Sequence, residues 1–583
     1  IFKTMSFSYI TLILVKLLGL SLSLKNGTEE SLGLCNSGLY CTGELLHTIQ
    51  MSRIFEDSKT FVDMPSKYSQ SEILEKFDKL ETKNLTYLKN FLNENFYSNG
   101  FEVVNSEPLD WVTRPNYISK IKDKNLQDFS LNLHLKWKNL LRKFDWSKIC
   151  SNCESSALRI NDSFIVPGGR FNEYYYWDTY WIIEGLLRSD MAQTAKGIID
   201  NFLDILETNG FIPNGARVYY LNRSQPPLLI QMVYSYLKYT NDIQYLRNSI
   251  HLLDKEYEFW MREKVIHVFK HGQNYTLNHY RVKSDKPRPE SYREDFINGQ
   301  ESGNSSKYYS NVMTAAESGW DFSSRWFENP MDIKTIQIDK IIPVDLNSIM
   351  FRNEKILSEF HEILGNIEKA NNYKKLSELR HEAINKVLWG PKENTYGDYN
   401  YEIDQIHLNN LYITDLSPLW FGIKAPVNED LVLNRYNSIL YDYISGVPTS
   451  NINTHQQWDF PNVWAPYHHW LVDYLKRSNR SEKGLDIAQR FVNSVYCGWK
   501  KSGNIYEKYN ALNQGGYGQG GEYVVQEGFG WTNGVVIIFM DEFYDDLKVE
   551  CQIDKENEAS TLRSEIFRVF MLNIGYLILS YLF

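Results

Sequence analysis

The chain has 583 residues, 23% of them charged, and a formal net charge of -10. An acidic balance excludes sequence-independent binding to nucleic-acid phosphates and leaves a neutral or small partner. Aromatic residues make up 15%, with 40 Tyr and 15 Trp, more than a helical core needs. Their flat faces and hydroxyl rims suit sugars as well as a tyrosine-rich interior.

The first element is an apolar run from Phe7 to Leu24, broken by Lys16 and small polar residues. It predicts a cleaved secretory leader over residues 1–24 in preference to a spanning helix, with Met5 as the initiator. Export agrees with N-x-S/T sites at Asn26, Asn84, Asn161, Asn222, Asn274, Asn304 and Asn479. The six cysteines, Cys35, Cys41, Cys150, Cys153, Cys497 and Cys551, form an even set able to pair in an oxidising compartment. Cys150-x-x-Cys153 has no second pair and no histidine motif, so a local disulfide or two inert thiols is expected there, not zinc. No metal or cofactor is implied.

Helical periodicity dominates the interior. In residues 191–210, Ile198, Phe202 and Ile205 share a face with Ile199, Leu203 and Leu206, and Asn209-Gly210 ends the run. Residues 228–240, 242–263, 353–370, 373–390, 467–478 and 482–501 read the same way, in pairs separated by loops. Strand-like alternation is scarce and no βαβ rhythm appears. The fold class is therefore all-α, as a solenoid or a closed ring of hairpins. With no Pro/Ser-rich linker between Cys41 and Leu547, residues 25–550 read as one domain.

Chemistry concentrates in the loops. Residues 166–181, "VPGGRFNEYYYWDTYW", gather paired glycines, Arg170, Glu173, Trp177 and Asp178. The glycines allow close approach of backbone to a ligand, and Arg170 and Asp178 can each hold vicinal hydroxyls. Residues 456–470, "QQWDFPNVWAPYHHW", repeat the mixture with Trp458, Asp459, Trp464 and Pro466. Gly516, Gly518 and Gly521 fit the G-x-G-x-x-G spacing, but no apolar strand precedes them and no helix opens after them, so a nucleotide cradle is rejected.

P-G-G-R-F-x-E-x-Y-x-W-D-x-Y at 167–180 and Q-W-D-x-P-x-x-W-A-P at 457–466 resemble the two signatures of the trehalases, glycoside hydrolases that split α,α-trehalose. The likeness continues at 57–63, 212–227, 288–295, 315–326, 342–347 and 507–534, covering roughly residues 35–545 in order. It implies an (α/α)6 barrel, trehalose as a small-molecule partner, and two carboxylates acting with inversion: Asp321 as general acid and Glu507 as general base. It places substrate binding on Arg170, Trp177, Asp178, Asn214, Arg223, Gln225, Arg288, Glu290, Gly319 and Glu522.

The residues support these roles on physical grounds. Cleaving an acetal with inversion needs an acid on the leaving oxygen and a base on water across the ring, the two ~6.5–9.5 Å apart. Asp321 lies between Trp320 and Phe322, an apolar setting that favours its protonated form. By itself it would read as the N-cap of the following turn. Arg223 and Arg288 are expected to be exposed and, on reaching the pocket, to favour an ionised base. Two departures from the family pattern stand out: Val463 replaces a customary Gly, and Tyr517 and Gln519 interrupt a customary glycine run. The segment between Glu507 and Glu522 is expected to act as a lid. Asn222 adjoins Arg223, so its glycosylation site is expected to be unused.

The chain ends in an apolar stretch, residues 569–583, behind a polar spacer and Ala559-Ser560-Thr561. Residues 551–583 thus fit either a lipid-anchor signal that is removed or a final amphipathic helix packing on the domain. The expected location is extracellular, secreted or held at the outer face of the plasma membrane.

Overall fold

The computed structural model describes residues 35–551. The predicted leader, Asn26 and the apolar tail lie outside the described residues.

Six helices form an inner ring: α1 (Asp178–Arg188), α2 (Leu229–Thr240), α3 (Val344–Ile363), α4 (Ser417–Trp420), α5 (Ala465–Arg477) and α6 (Gly530–Glu542). Each contacts the next, and α6 returns to α1, so the ring closes. Outside it lie Lys124–Leu140, Ala192–Asn209, Ile243–Glu263, Ile367–Val387, the short pair Glu429–Arg435 and Asn437–Tyr441, and Ser481–Ser502. This is the (α/α)6 barrel that the family resemblance implied, and it decides for the closed ring over the solenoid that the paired helical runs left open.

Local sequence explains the hairpins. The outer helix Ala192–Asn209 buries Ile198, Phe202 and Ile205 and stops at Gly210, whose φ of 79° is the left-handed cap that glycine adopts without strain. In contrast, α6 is buried on every face from Gly530 to Met540, as a helix enclosed by neighbours must be. Its seam with α1 is made by glycines. A Cβ on Gly534 would stand 2.0 Å from the Trp181 carbonyl oxygen, and one on Gly185 would stand 2.8 Å from the Gly534 Cα. Residues 353–370, read above as one helical segment, are divided: α3 ends at Ile363, Gly365 turns with φ 79°, and the next helix starts at Ile367.

The amino-terminal part packs on one end of the barrel. Leu39, Tyr40, Phe61, Phe91 and Phe96 form a second core that reaches Tyr175, Tyr219 and Tyr220 of the barrel loops. Beneath it a buried charge network joins the two parts: Lys59 pairs with Asp63 (2.5 Å) and Glu173 (2.7 Å), and Arg217 with Glu102 (2.8 Å) and Glu173 (3.2 Å). Interlocked partners satisfy charges that would be costly to bury alone. The cysteines pair as Cys35–Cys41, Cys150–Cys153 and Cys497–Cys551. Among the described residues no helix is long and apolar enough to cross a membrane.

Candidate active site

The amino-terminal ends of the inner helices converge on one pocket. Asp178 opens α1, Trp464 precedes α5, and Trp531 stands in the first turn of α6. All twelve residues singled out in the sequence line a single cavity: Arg170, Trp177, Asp178, Asn214, Arg223, Gln225, Arg288, Glu290, Gly319, Asp321, Glu507 and Glu522. It measures about 80 Å³, below the ~300 Å³ at which small-molecule clefts usually begin. An outer chamber of about 630 Å³ adjoins it, and residues 517–526 form one of its walls. Glu522 and Tyr523 face both spaces.

Aromatic rings build the floor. Trp458 stacks on Trp464 at 3.8 Å and on Trp320 at 5.2 Å, and Trp177 leans on Trp458 at 5.7 Å. Gly319 contributes room, not contact: it caps the helix Ser305–Ser318 with φ 77°, and a Cβ there would stand 2.7 Å from the Trp177 ring. The Trp177 amide donates to Gln225 Oε1 at 3.0 Å, fixing that side chain.

The basic residues are clamped. Arg223 and Arg288 are buried, correcting the expectation that they are exposed. Arg223 pairs with Glu290, while its Nε and Glu290 Oε2 have no protein partner. Arg288 is held by Asp295 (2.7 Å) and Glu522 (2.8 Å). Arg170 spends Nε and Nη2 on Asp57, each at 2.6 Å, and its guanidinium lies 4.7 Å over the Tyr523 ring. Neutralised in pairs, these cations keep donor directions without an uncompensated field.

The two carboxylates differ in their surroundings. Burial pushes the Asp321 carboxyl up to about 7, with Arg288 opposing the shift. Asp321 does not cap the turn that follows, because Ser323 does, accepting from the Arg325 amide. The backbone of Asp321 is tied by its carbonyl oxygen, which accepts from Gln457 Nε2. Burial also raises Glu507, but Lys508, the Tyr523 hydroxyl and Arg170 act in the opposite direction. Tyr523 donates to Glu507 Oε1 at 2.8 Å, Trp531 Nε1 to its carbonyl oxygen at 3.0 Å, and Oε2 is left unpartnered. Asp178 is pushed well above the usual carboxylate range by burial, with Glu507 and Asp321 adding to the shift.

Several residues act otherwise than the sequence suggested. The paired glycines admit other parts of the protein in place of ligand: a Cβ on Gly168 would stand 2.5 Å from the Glu527 carbonyl oxygen, and one on Gly169 would stand 2.0 Å from the Gln526 side-chain Oε1. Asp459 does not line the pocket; it accepts from Ser323 Oγ (2.7 Å) and the Ser324 amide (2.8 Å), tying its loop to the segment after Asp321. Val463 sits buried in a short antiparallel pair, β1 (Asn462–Trp464) against β2 (Lys508–Asn510), facing Tyr509 across the ladder. Tyr517 is 55% exposed and Gln519 is exposed; both line the outer chamber and neither lines the inner cavity. The next helix after Gly521 is α6, from Gly530, which agrees with rejecting a nucleotide cradle.

Sequence reasoning gave no role to Asp57, Gln457, Lys508 or Tyr523. Asp57 and Tyr523 lay within quoted motifs, yet their partners are 113 and 16 positions away. No spacing rule connects such pairs.

Comparison with known proteins agrees with this geometry. Residues 53–544 match the trehalase family. A trehalase of Dictyostelium discoideum is 42% identical, covering 88% of this chain and 91% of its own. The Homo sapiens trehalase is 40% identical, covering 92% and 94%, and that of Apis mellifera 40%, covering 88% and 86%. Among solved structures, the neutral trehalase Nth1 of Saccharomyces cerevisiae superposes with a TM-score of 0.54 at 21% identity, covering 67% of this chain and 77% of its own. The matched span contains the ring and the lining residues, and the chain is a glycoside hydrolase that belongs to the trehalase family.

Proposed function

We propose that this enzyme hydrolyses α,α-trehalose to two glucose molecules with inversion, Asp321 acting as general acid and Glu507 as general base. The observation that carries the reading is one cavity lined by both carboxyls, each raised by burial but with more groups around Glu507 favouring its ionised form. Asp321 is kept protonated by burial to about 7. Glu507 is served by a cation and a hydroxyl donor and keeps one oxygen free. Asp321 delivers its proton to the bridging oxygen as the bond to the anomeric carbon breaks. Glu507 Oε2 takes a proton from the water that attacks that carbon from the opposite face. The attacked glucose leaves as the β anomer and the departing one as the α anomer, so atoms and charge balance. Arg170, Arg223, Arg288, Glu290, Asp178 and Glu522 bind hydroxyls, and the Trp floor receives the apolar sugar faces. A sugar-binding module without catalysis has no need of two such carboxyls.

The test is glucose release by the wild type, Asp321→Asn and Glu507→Gln, with the anomers of fresh product followed by NMR. Turnover near wild type in either variant removes that residue's role, and product formed initially as α anomer alone removes inversion. On this assignment kcat/KM declines above about pH 7 as Asp321 loses its proton.

An exported protein is part of the same proposal. Three disulfides support it. So do the exposed positions of Asn84, Asn161, Asn274, Asn304 and Asn479. Asn222 is half-buried, with Nδ2 3.2 Å from Met313 Sδ, and stays unmodified. Glycopeptide mapping of the natural protein checks this, and a glycan on Asn222 would oppose Arg223 as a sugar ligand. Mass analysis of the mature carboxyl terminus decides between an anchored and a secreted form.

A further inference from the structure

Lys508 follows the base in sequence and is fully buried, yet it does not line the cavity. Its ammonium donates to Gln457 Oε1 at 3.0 Å and to the Gly520 carbonyl oxygen at 3.1 Å. It lies 5.1 Å over the Trp464 ring and 6.0 Å over that of Tyr523. Gln457 in turn donates to the Asp321 carbonyl oxygen, while its own carbonyl accepts from Trp464 Nε1 and Asn462 Nδ2, both at 3.0 Å. One ammonium thus connects the glycine loop, through Gly520, with the backbone that carries Asp321. Other ties of the loop include Gly518 N–H to the Lys508 carbonyl (2.9 Å), Gln519 N–H to Asn462 Oδ1 (2.8 Å) and Asn462 Nδ2 to the Gln519 carbonyl (2.7 Å).

Both hydrogen-bond acceptors are neutral, and no ion pair includes Lys508 among the described residues. Burying an ammonium without a salt bridge costs several kcal/mol after relaxation. A neutral donor would make the same two hydrogen bonds without that cost, so the charge itself needs an explanation. The anions that act on it are Glu507 first and Asp321 second. The other groups facing Glu507 are the Tyr523 hydroxyl, Arg170 and Asp178, and Arg170 is already paired with Asp57. Lys508 is therefore the cation that acts most on Glu507, ahead of Arg170, and it has no carboxylate partner of its own.

We propose that Lys508 is a positioning residue of the hydrolytic site: its ammonium pins the glycine loop to the acid-bearing loop, and its charge favours the ionised form of Glu507 that a base needs. This rests on the assignment of Asp321 and Glu507 above. Burial pulls Lys508 down to about 8, so it stays cationic over the pH range in which Asp321 keeps its proton.

The experiment compares kcat and kcat/KM from pH 4 to 9 in the wild type, Lys508→Met, Lys508→Arg and Glu507→Gln, with thermal melts as a folding control. Removal of a facing opposite charge moves a carboxylate by about 1 unit or more. Lys508→Met should lose at least tenfold in kcat, and its acidic limb should shift upward by about one pH unit. Lys508→Arg should lose rate through poorer fit but keep the limb near its wild-type position, a contrast that a packing role would not produce. If the Met variant does not fold, Lys508→Gln keeps a donor for Gly520 and tests the same charge. An unmoved limb in the neutral variant, beside an inactive Glu507→Gln, overturns the inference alone. Full activity in Glu507→Gln removes the assignment beneath it.

Discussion

Asp57→Asn isolates how much the pocket depends on a residue contributed by the amino-terminal part. Asp57 grips Arg170 through Nε and Nη2, both at 2.6 Å, and is 35% exposed against 15% for Arg170. The asparagine keeps the volume but loses the charge and one of the two acceptor oxygens. Hydrogen bonds to charged groups contribute about 1.5–3 kcal/mol, and the solvent at Asp57 places this pair at the lower end. A loss of about 1.5–2 kcal/mol in orienting Arg170 corresponds to roughly a 10–30-fold fall in kcat/KM. The sign of a second effect also follows. Arg170 already favours the ionised form of Glu507, and relieved of its own partner it does so more strongly, moving the acidic limb to lower pH. Steady-state glucose release from trehalose at several pH values, with melting temperatures measured beside it, reads both effects. A kcat/KM within twofold of wild type and an unmoved limb would show that Arg170 holds its position without Asp57, and the reasoning would fail.

Other perturbations separate packing from chemistry. Gly319→Ala should cut kcat/KM more than tenfold with the fold retained, because its Cβ would stand 2.7 Å from the Trp177 ring; crystallography of the variant should find that ring displaced. Gly534→Ala should lower stability by about 3 kcal/mol or prevent folding, the upper end for overpacking, since its Cβ would stand 2.0 Å from the Trp181 carbonyl oxygen; denaturant unfolding measures it. Opening Cys497–Cys551, which spans 54 positions, should cost about 4 kcal/mol by loop entropy, far more than opening the 3-position Cys150–Cys153 link; melts of the paired alanine variants compare them. Asp321 is raised to about 7, so between the ordinary value near ~3.9 and about 7 the folded state binds more protons than the unfolded one. Its contribution therefore declines as pH rises through that window. Asp321→Asn should flatten the dependence of Tm on pH there, and an identical slope would count against the shift.

The helices with one apolar face were legible because period 3.6 marks them directly, as in Ala192–Asn209. Helix α6 was not, since a helix buried on all sides has no periodicity to read. Nor was the break at Gly365, where apolar residues continue on both sides of a left-handed turn. The twelve residues that the family motifs singled out all line the cavity, whereas lining residues such as Gln457, Tyr523 and Trp531 were given no role. What those motifs withhold is partnership: that Gly168 and Gly169 make way for Gln526 and Glu527, that Asp459 braces a loop, and that Tyr523 serves Glu507. Such pairings depend on three-dimensional closure, to which local sequence gives no periodic signal.

The glycine seam between α1 and α6 also sets an order of events during synthesis. Helix α1 is complete at Arg188, but the helix that fills the gap beside it begins only at Gly530. At ~5–20 residues per second, a ribosome leaves that gap open for tens of seconds. Throughout that time the buried face of α1 lacks its partner, and α5 and Glu507, once made, wait in turn for α6 and for the Trp531 indole that ties the Glu507 backbone. A truncated or stalled chain is thus not a slower enzyme but an unfinished one, with apolar surface available to chaperones and to aggregation. The site is complete only when the last ring helix, with Trp531, is in place.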